Sequence, residues 1–327
     1  MTIRTAASLS SPARPLQPGS GAGQPMSAGQ WGILLALSVL WGASFYFYSI
    51  GLTGFPPFTL VLARTALASV ILFAVILLTG ETLPLNRRSV MAMIVLGLFN
   101  NTAPFTLLAW GQSHIGTGPA SILNATTPLW TVIFAHFFTS DEKITVNRLA
   151  GVIFGICGVA MLIGTSAFDL LGSGFLGQLA CIGAALSYAL ATVCGRRFRP
   201  LGLTPLATAT GQSVAATALL LPLSLVIDQP WTLPEPGLPA WLAVLGLATL
   251  STALAYLLFF RLLATAGATN IQLVTFLVPV TAILLGVFLL GERFDPHDLG
   301  GMALIGCGLS LIDGRLPRRI VSLIRRP

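Results

Sequence analysis

Charge is what this 327-residue chain has least of: 8% of its residues are Asp, Glu, Lys or Arg, against ~25% in a soluble domain. With 55% hydrophobic residues and a mean hydropathy of +0.87, that scarcity excludes an ordinary soluble domain. It points to an all-α polytopic membrane protein, because a helix satisfies its own backbone polar groups in lipid. Carboxylates are scarcer still. None of the ten sits in the middle of an apolar run, so no mid-membrane acid is offered for proton coupling and no catalytic triad can be completed there. Only four cysteines occur, Cys157, Cys181, Cys194 and Cys307, all within apolar segments and without a CxxC or a histidine partner. They read as small packing residues and exclude a disulfide framework or a metal site. No phosphate loop is present, so no cofactor and no enzymatic activity are expected. The net charge of +7 would suggest nucleic acid in a soluble protein. Here the basic residues lie in short loops, where they set topology, and no nucleic-acid partner is expected.

What is present is a duplication. The stretch Ile94 to Leu162 recurs as Ala243 to Ile312. Ile94-Val-Leu-Gly-Leu98 matches Ala243-Val-Leu-Gly-Leu247, Pro128 matches Pro279, and Glu142-Lys143-Ile144 matches Glu292-Arg293-Phe294. Leu149, Gly151, Cys157 and Gly158 match Leu299, Gly301, Cys307 and Gly308, and the offset moves only between 149 and 151 residues. A duplicated half in a very apolar chain points to a transporter built from repeats.

Residues 1–30, rich in Ser, Pro, Gly and Ala, read as a disordered cytoplasmic tail rather than a signal peptide. Ten apolar segments follow, near 31–51, 57–79, 90–112, 116–138, 147–166, 174–195, 203–226, 239–262, 268–290 and 297–313. Each approaches the ~20 residues a spanning helix needs. With the N-terminus in the cytoplasm, fifteen basic residues fall inside and only Arg293 outside, Arg64 lying within segment 2. Both termini are therefore expected in the cytoplasm. Five segments per half is an odd number, so the copies insert upside down relative to each other. The expected units are repeat 1 over 31–167, repeat 2 over 174–313, and a basic cytoplasmic tail over 314–327.

Polar and aromatic residues at membrane depth mark the candidate site. Trp41, Ser44, Phe45 and Tyr48 share one helix face by their i, i+3, i+4, i+7 spacing. Tyr188 of segment 6 and Tyr256 of segment 8 can join them to hold a flat apolar solute or a cation. Segment 3 carries Asn100, Asn101 and Thr102; segment 4 carries Ser121, Asn124, Thr126 and Thr127. Segment 8 carries Thr249, Ser251 and Thr252; segment 9 carries Asn270, Gln272 and Thr275. Such groups either join helices or line a wet path. Asn101, Asn124 and Gln272 are assigned as solute contacts, with Ser251 and Thr275 beside them. Pro104, Pro128 and Pro279 each remove a backbone donor, making either a gating kink or an inert one packed by neighbours. Arg64, placed near the inner half of segment 2, is expected to snorkel or to bind a carbonyl. His136, among Phe134, Phe137 and Phe138, reads as interfacial. The Gly151, Gly155, Gly158 and Gly301, Gly308 stripes read as peripheral packing, at a subunit contact if the protein is a homodimer rather than a monomer. Glu292, Arg293, Asp295, His297 and Asp298 read as a solvated turn.

Several of these features together resemble the drug/metabolite transporter superfamily, in its ten-helix branch of paired EamA-type repeats. They are Leu40-Trp-Gly-Ala-Ser44, Arg64, and Leu277-Val-Pro-Val280 running into Leu289-Leu-Gly-Glu292 before a Gly-rich last segment. Segment 4 departs from that pattern with Thr127-Pro128-Leu129 and Thr139-Ser-Asp-Glu142. The resemblance covers about residues 31–313. It implies a carrier in the bacterial inner (plasma) membrane, most similar to aromatic amino acid exporters. Its cavity would be lined by helices 1, 3, 4, 6, 8 and 9. The expected solute is a small neutral or zwitterionic metabolite moved outward by alternating access. A carrier of phosphorylated anions is the alternative within the class, and a membrane-embedded transferase the alternative outside it.

Overall fold

Helix starts and stops follow the local sequence. The computed structural model describes residues 26–139, 144–163, 172–266, 268–271, 273–293 and 296–313. α1 spans Ala28–Gly51, α2 Pro57–Thr79 and α3 Arg87–Gln112. α4 is the pair Thr117–Asn124 and Thr127–Phe138, α5 is Val146–Ile163 and α6 is Ser173–Phe198. α7 runs Pro205–Asp228, α8 Leu238–Ala266, α9 is the pair Ala268–Ile271 and Val274–Leu290, and α10 is Pro296–Asp313. Among the described residues there is no strand. Six helices, α1, α2, α3, α6, α7 and α8, are long and apolar enough to cross a membrane, and shorter apolar helices lie in α5, α9 and α10. Leu78, Phe288 and Val226, all more than 70% exposed, belong to an outward-facing apolar surface.

Ser27 and Gln30 form a capping box that starts α1 three residues earlier than expected. Pro57 opens α2, where a missing N–H costs nothing. The rest of the two expected terminal tails lies outside the described residues.

Three helices widen into π-helical stretches: α3 at Leu98–Thr102, α7 at Ser224–Asp228 and α8 at Gly246–Leu254. Those of α3 and α8 fall at matching positions of the sequence duplication. Such bulges leave backbone groups to be satisfied elsewhere and recur at functional sites. Here Ser187 donates to the Phe99 carbonyl at 2.8 Å, and Thr252 Oγ1 donates to Leu247 O, five residues back, at 2.8 Å.

α2 and α7 lie side by side and meet at both ends. Near the α2 start, Asp228 accepts from the Thr59 N–H (2.6 Å) and hydroxyl (2.8 Å). At the α7 start, the capping Thr204 donates its hydroxyl to Glu81, just past the α2 end, at 2.6 Å. The two helices are therefore antiparallel. α5 and α10 also pack together. A Cβ on Gly151 would stand 2.6 Å from the Gly308 carbonyl oxygen, and one on Gly158 would stand 2.7 Å from that of Gly301. The glycine stripes thus serve a contact between two helices of the same chain.

Glu292 corrects the expectation of a solvated turn. Gly291 takes the left-handed conformation (φ +67°) and ends α9, letting the Glu292 N–H bond Gly286 O at 3.0 Å. The chain then turns the Glu292 carboxylate onto the α4 start, where it accepts from the N–H of Thr117 (2.9 and 3.1 Å) and of Gly118 (3.4 Å). An acid belongs there, because the first N–H groups of a helix have no partner within it. Asp295 lies outside the described residues. Asp298 is buried.

Candidate functional site

The three prolines singled out from the sequence share a property. Each lacks the N–H that would bond the carbonyl four residues earlier, and those carbonyls belong to Asn100, Asn124 and Thr275. All three residues line one cavity of about 580 Å³. At Pro128 the freed Asn124 carbonyl is taken by the Thr127 hydroxyl at 2.8 Å, and α4 breaks at Ala125–Thr126. Pro279 sits inside α9, and Pro104 follows the π-helical stretch of α3.

Most of the sequence-predicted residues meet in this cavity: Trp41, Ser44, Tyr48, Asn124, Tyr188, Ser251, Tyr256 and Thr275 all line it. Their polar atoms are differently engaged. Ser44 donates to its own helix at Trp41 O (2.6 Å), and Ser251 ties α8 to α1 through Leu40 O (2.7 Å). Asn124 Oδ1 is buried and accepts no hydrogen bond, so it is an acceptor in waiting. The aromatic wall is continuous: Trp41 packs on Phe259 (5.6 Å between ring centroids), Phe259 on Phe260 (5.3 Å) and Phe260 on Tyr256 (6.4 Å). Tyr188 meets Phe105 edge-on at 6.5 Å.

One predicted residue stands elsewhere. Asn101 does not line the cavity. It is 0% exposed and lies behind Tyr256, whose hydroxyl donates to its Oδ1 at 3.0 Å. The neighbouring Asn100 lines the cavity instead and donates to Gln212 Oε1 at 3.1 Å. The π-helical stretch contains both residues, and an amide at membrane depth does not by its type alone say which of two neighbours faces the cavity. Gln272 lies outside the described residues.

α2 and α7 also reach the cavity, through Arg64, Thr208 and Gln212, which the expected set of lining helices left out. Arg64 neither snorkels nor binds a carbonyl. It stands seven residues into α2 from Pro57, not near the far end, and is 4% exposed. Its Nη1 donates to the Tyr48 hydroxyl at 2.6 Å and its Nε to Thr252 Oγ1 at 2.8 Å. The guanidinium carbon lies 3.6 Å from the Phe105 ring centroid. The Tyr48 hydroxyl in turn donates to Phe105 O at 3.3 Å. These contacts join α1, α2, α3 and α8 at one point. Thr252 reaches it from the π-helical stretch of α8. The i, i+4 pair Thr208 and Gln212 was the available sign that α7 contributes.

A family model described as the EamA-like transporter family matches residues 30–164 and 175–313. The chain is 30% identical over 286 residues to the uncharacterized inner membrane transporter YedA of Escherichia coli, covering 86% of this chain and 90% of that one. It is 28% identical over 296 residues to a probable terminal-alkyne amino-acid exporter of Streptantibioticus cattleyicolor, covering 89% and 95%. A crystal structure of a protein 20% identical in sequence superposes with a TM-score of 0.62 over 90% of this chain and 99% of that one, a likeness of fold.

Proposed function

Because the chain belongs to the EamA-like transporter family and is a membrane transporter of that type, we propose that it exports small neutral or zwitterionic metabolites, amino acids with aromatic side chains among them. The observation that carries this reading is the cavity itself. Its volume of about 580 Å³ is that of a small-molecule site. It sets an aromatic wall beside the buried, unpartnered Asn124 Oδ1, which suits an ammonium group. The similarity to an amino-acid exporter supports the same class.

The transport cycle we infer follows from two inverted five-helix repeats, over 31–167 and 174–313, making ten crossings with both termini in the cytoplasm. The antiparallel α2–α7 pair and the matched π-helical stretches support that symmetry. In this orientation Gly195, Thr208, Leu263 and Ile271, each three residues from a helix end, carry the cavity lining toward the cytoplasm. On the other side Tyr48 and Arg64 close it. Glu292 on α4 and Asp228 on α2 tie the outer ends. This arrangement is the inward-facing state, and rocking of one repeat against the other would expose the same site outward.

Arg64 in the cavity favours a second reading, a carrier of phosphorylated anions. A phosphate dianion is usually held by several fixed positive charges, and among the described lining residues Arg64 is the one cation. Uptake into proteoliposomes decides between them. Radiolabelled phenylalanine and tryptophan are expected to enter wild-type vesicles, with competition by amino acids, and to enter poorly with Asn124→Ala. Runs with and without a proton gradient identify the driving force. Transport of sugar phosphates with no competition from any amino acid would overturn the proposal.

A further inference from the structure

Arg64 is a positive charge with no negative one beside it. Two of its five N–H donors are used, on Tyr48 and Thr252, both neutral hydroxyls. Its remaining contacts are the faces of Phe105 and Tyr48, with the guanidinium carbon 3.6 and 5.3 Å from the ring centroids. Among the described residues no carboxylate reaches it. The side chain is 4% exposed, and the residue lines the cavity. A purely structural cross-link between helices needs no charge at this depth, where an unpaired cation is costly and marks a solute path. Two hydroxyls would do it alone, as Ser69 and Thr217 do between α2 and α7 at 3.3 Å. What the arrangement lacks is an anion. Tyr48 and Thr252 hold the guanidinium at Nη1 and Nε, and the three N–H groups left over suit a singly charged oxygen acceptor such as a carboxylate.

We propose that Arg64 is the carboxylate receptor of the transport site, so that the solute class is defined by a free carboxylate lying against the aromatic wall. This rests on the carrier reading above and sharpens it. The carboxylate binds the guanidinium, the apolar side chain lies toward Trp41 and Phe259, and an α-ammonium, where present, takes Asn124 Oδ1. Phenylalaninamide and phenethylamine, which lack the anion, are then poor solutes. Phenylpropionate, which lacks only the ammonium, keeps most of its affinity.

Binding of phenylalanine and these three analogues to purified protein, measured by competition against a bound aromatic amino acid or directly by calorimetry, tests this. Wild type should prefer phenylalanine to its amide by about 10- to 100-fold, the usual worth of a charged hydrogen-bonded contact. Arg64→Gln should bring that ratio close to one. Loss of a structural role alone would lower both affinities together and leave the ratio standing. Tyr48→Phe keeps the guanidinium and should keep the ratio, which guards against an Arg64 variant that does not fold. Equal wild-type binding of phenylalanine and its amide would overturn the inference while leaving the amino-acid reading intact. Binding of phenylpropionate without phenylalanine would do the reverse. Binding of none of the four to folded wild-type protein would overturn both.

Discussion

Removing the Glu292 carboxylate should loosen the joint between α9 and α4. The half-buried carboxylate accepts from the Thr117 and Gly118 N–H groups, the first donors of α4. A side-chain cap is worth about 1 kcal/mol, and a charge at a partly buried helix terminus up to ~2 kcal/mol. Glu292→Ala should therefore destabilise by about 2 kcal/mol, a factor of about 30 in the folded-to-unfolded ratio. Glu292→Gln, which keeps an acceptor and loses the charge, should cost about 1 kcal/mol. Gly286 supplies an independent perturbation. A Cβ there would stand 2.7 Å from Glu292 Oε2 and would push the carboxylate off its donors. Gly286→Ala should thus move stability in the same direction as Glu292→Ala, and the two together should be less than additive. The assay is unfolding of the micelle-bound protein by added dodecyl sulfate, followed through helical circular dichroism. A Glu292→Ala midpoint equal to that of wild type refutes the reasoning. Full additivity of the pair shows that Gly286 acts by another route.

Three further outcomes are expected. Gly158→Val should destabilise by about 1–3 kcal/mol through overpacking against the Gly301 carbonyl, whereas Gly306→Ala on the same α10, which meets nothing within 4 Å, should be neutral or slightly stabilising in the same titration. Trp41→Ala should weaken binding of aromatic solutes about tenfold, with little effect on alanine, because it removes an aromatic wall contact; an equal loss for both solutes counts against that wall. Pro279→Ala restores a backbone donor inside α9 and should slow transport at nearly unchanged solute affinity, measured as a split between maximal rate and half-saturation; unchanged rates make the kink inert.

Much of the architecture was legible because lipid leaves a chain few choices. Apolar runs, loop arginines and the order of Pro128, Glu142, Pro279 and Glu292 indicated spans and a duplication before any coordinates. The face Trp41, Ser44, Tyr48 was legible because α1 is a regular helix there, so 3.6-residue spacing holds. Asn101 was misplaced because an amide at membrane depth, by type alone, is not separated from its neighbour Asn100, which lines the cavity. Arg64 was misread for a different reason: periodicity says which face a residue occupies, not which neighbour that face meets. Its partners are 16 and 188 residues away. Glu292 looked solvated because its partner, Thr117, is 175 residues distant. Gln212 was overlooked among the small and apolar residues of α7.

The placing of Arg64 also bears on how the chain enters the bilayer. Segments leave the ribosome in order, so α2 must partition into lipid long before α8 and its Thr252 exist. An arginine near a helix centre opposes that step by about 2.5–3.5 kcal/mol. The rest of α2 is suited to overcome it: with a mean hydropathy of 2.5, it is the most apolar of the six long helices, the others lying between 1.5 and 2.0. Of its two hydrogen-bond partners, the one already made at that moment is the Tyr48 hydroxyl on α1, 16 residues upstream. The first helical hairpin can thus shelter its own cation during biogenesis, and α8 completes the coordination when it arrives.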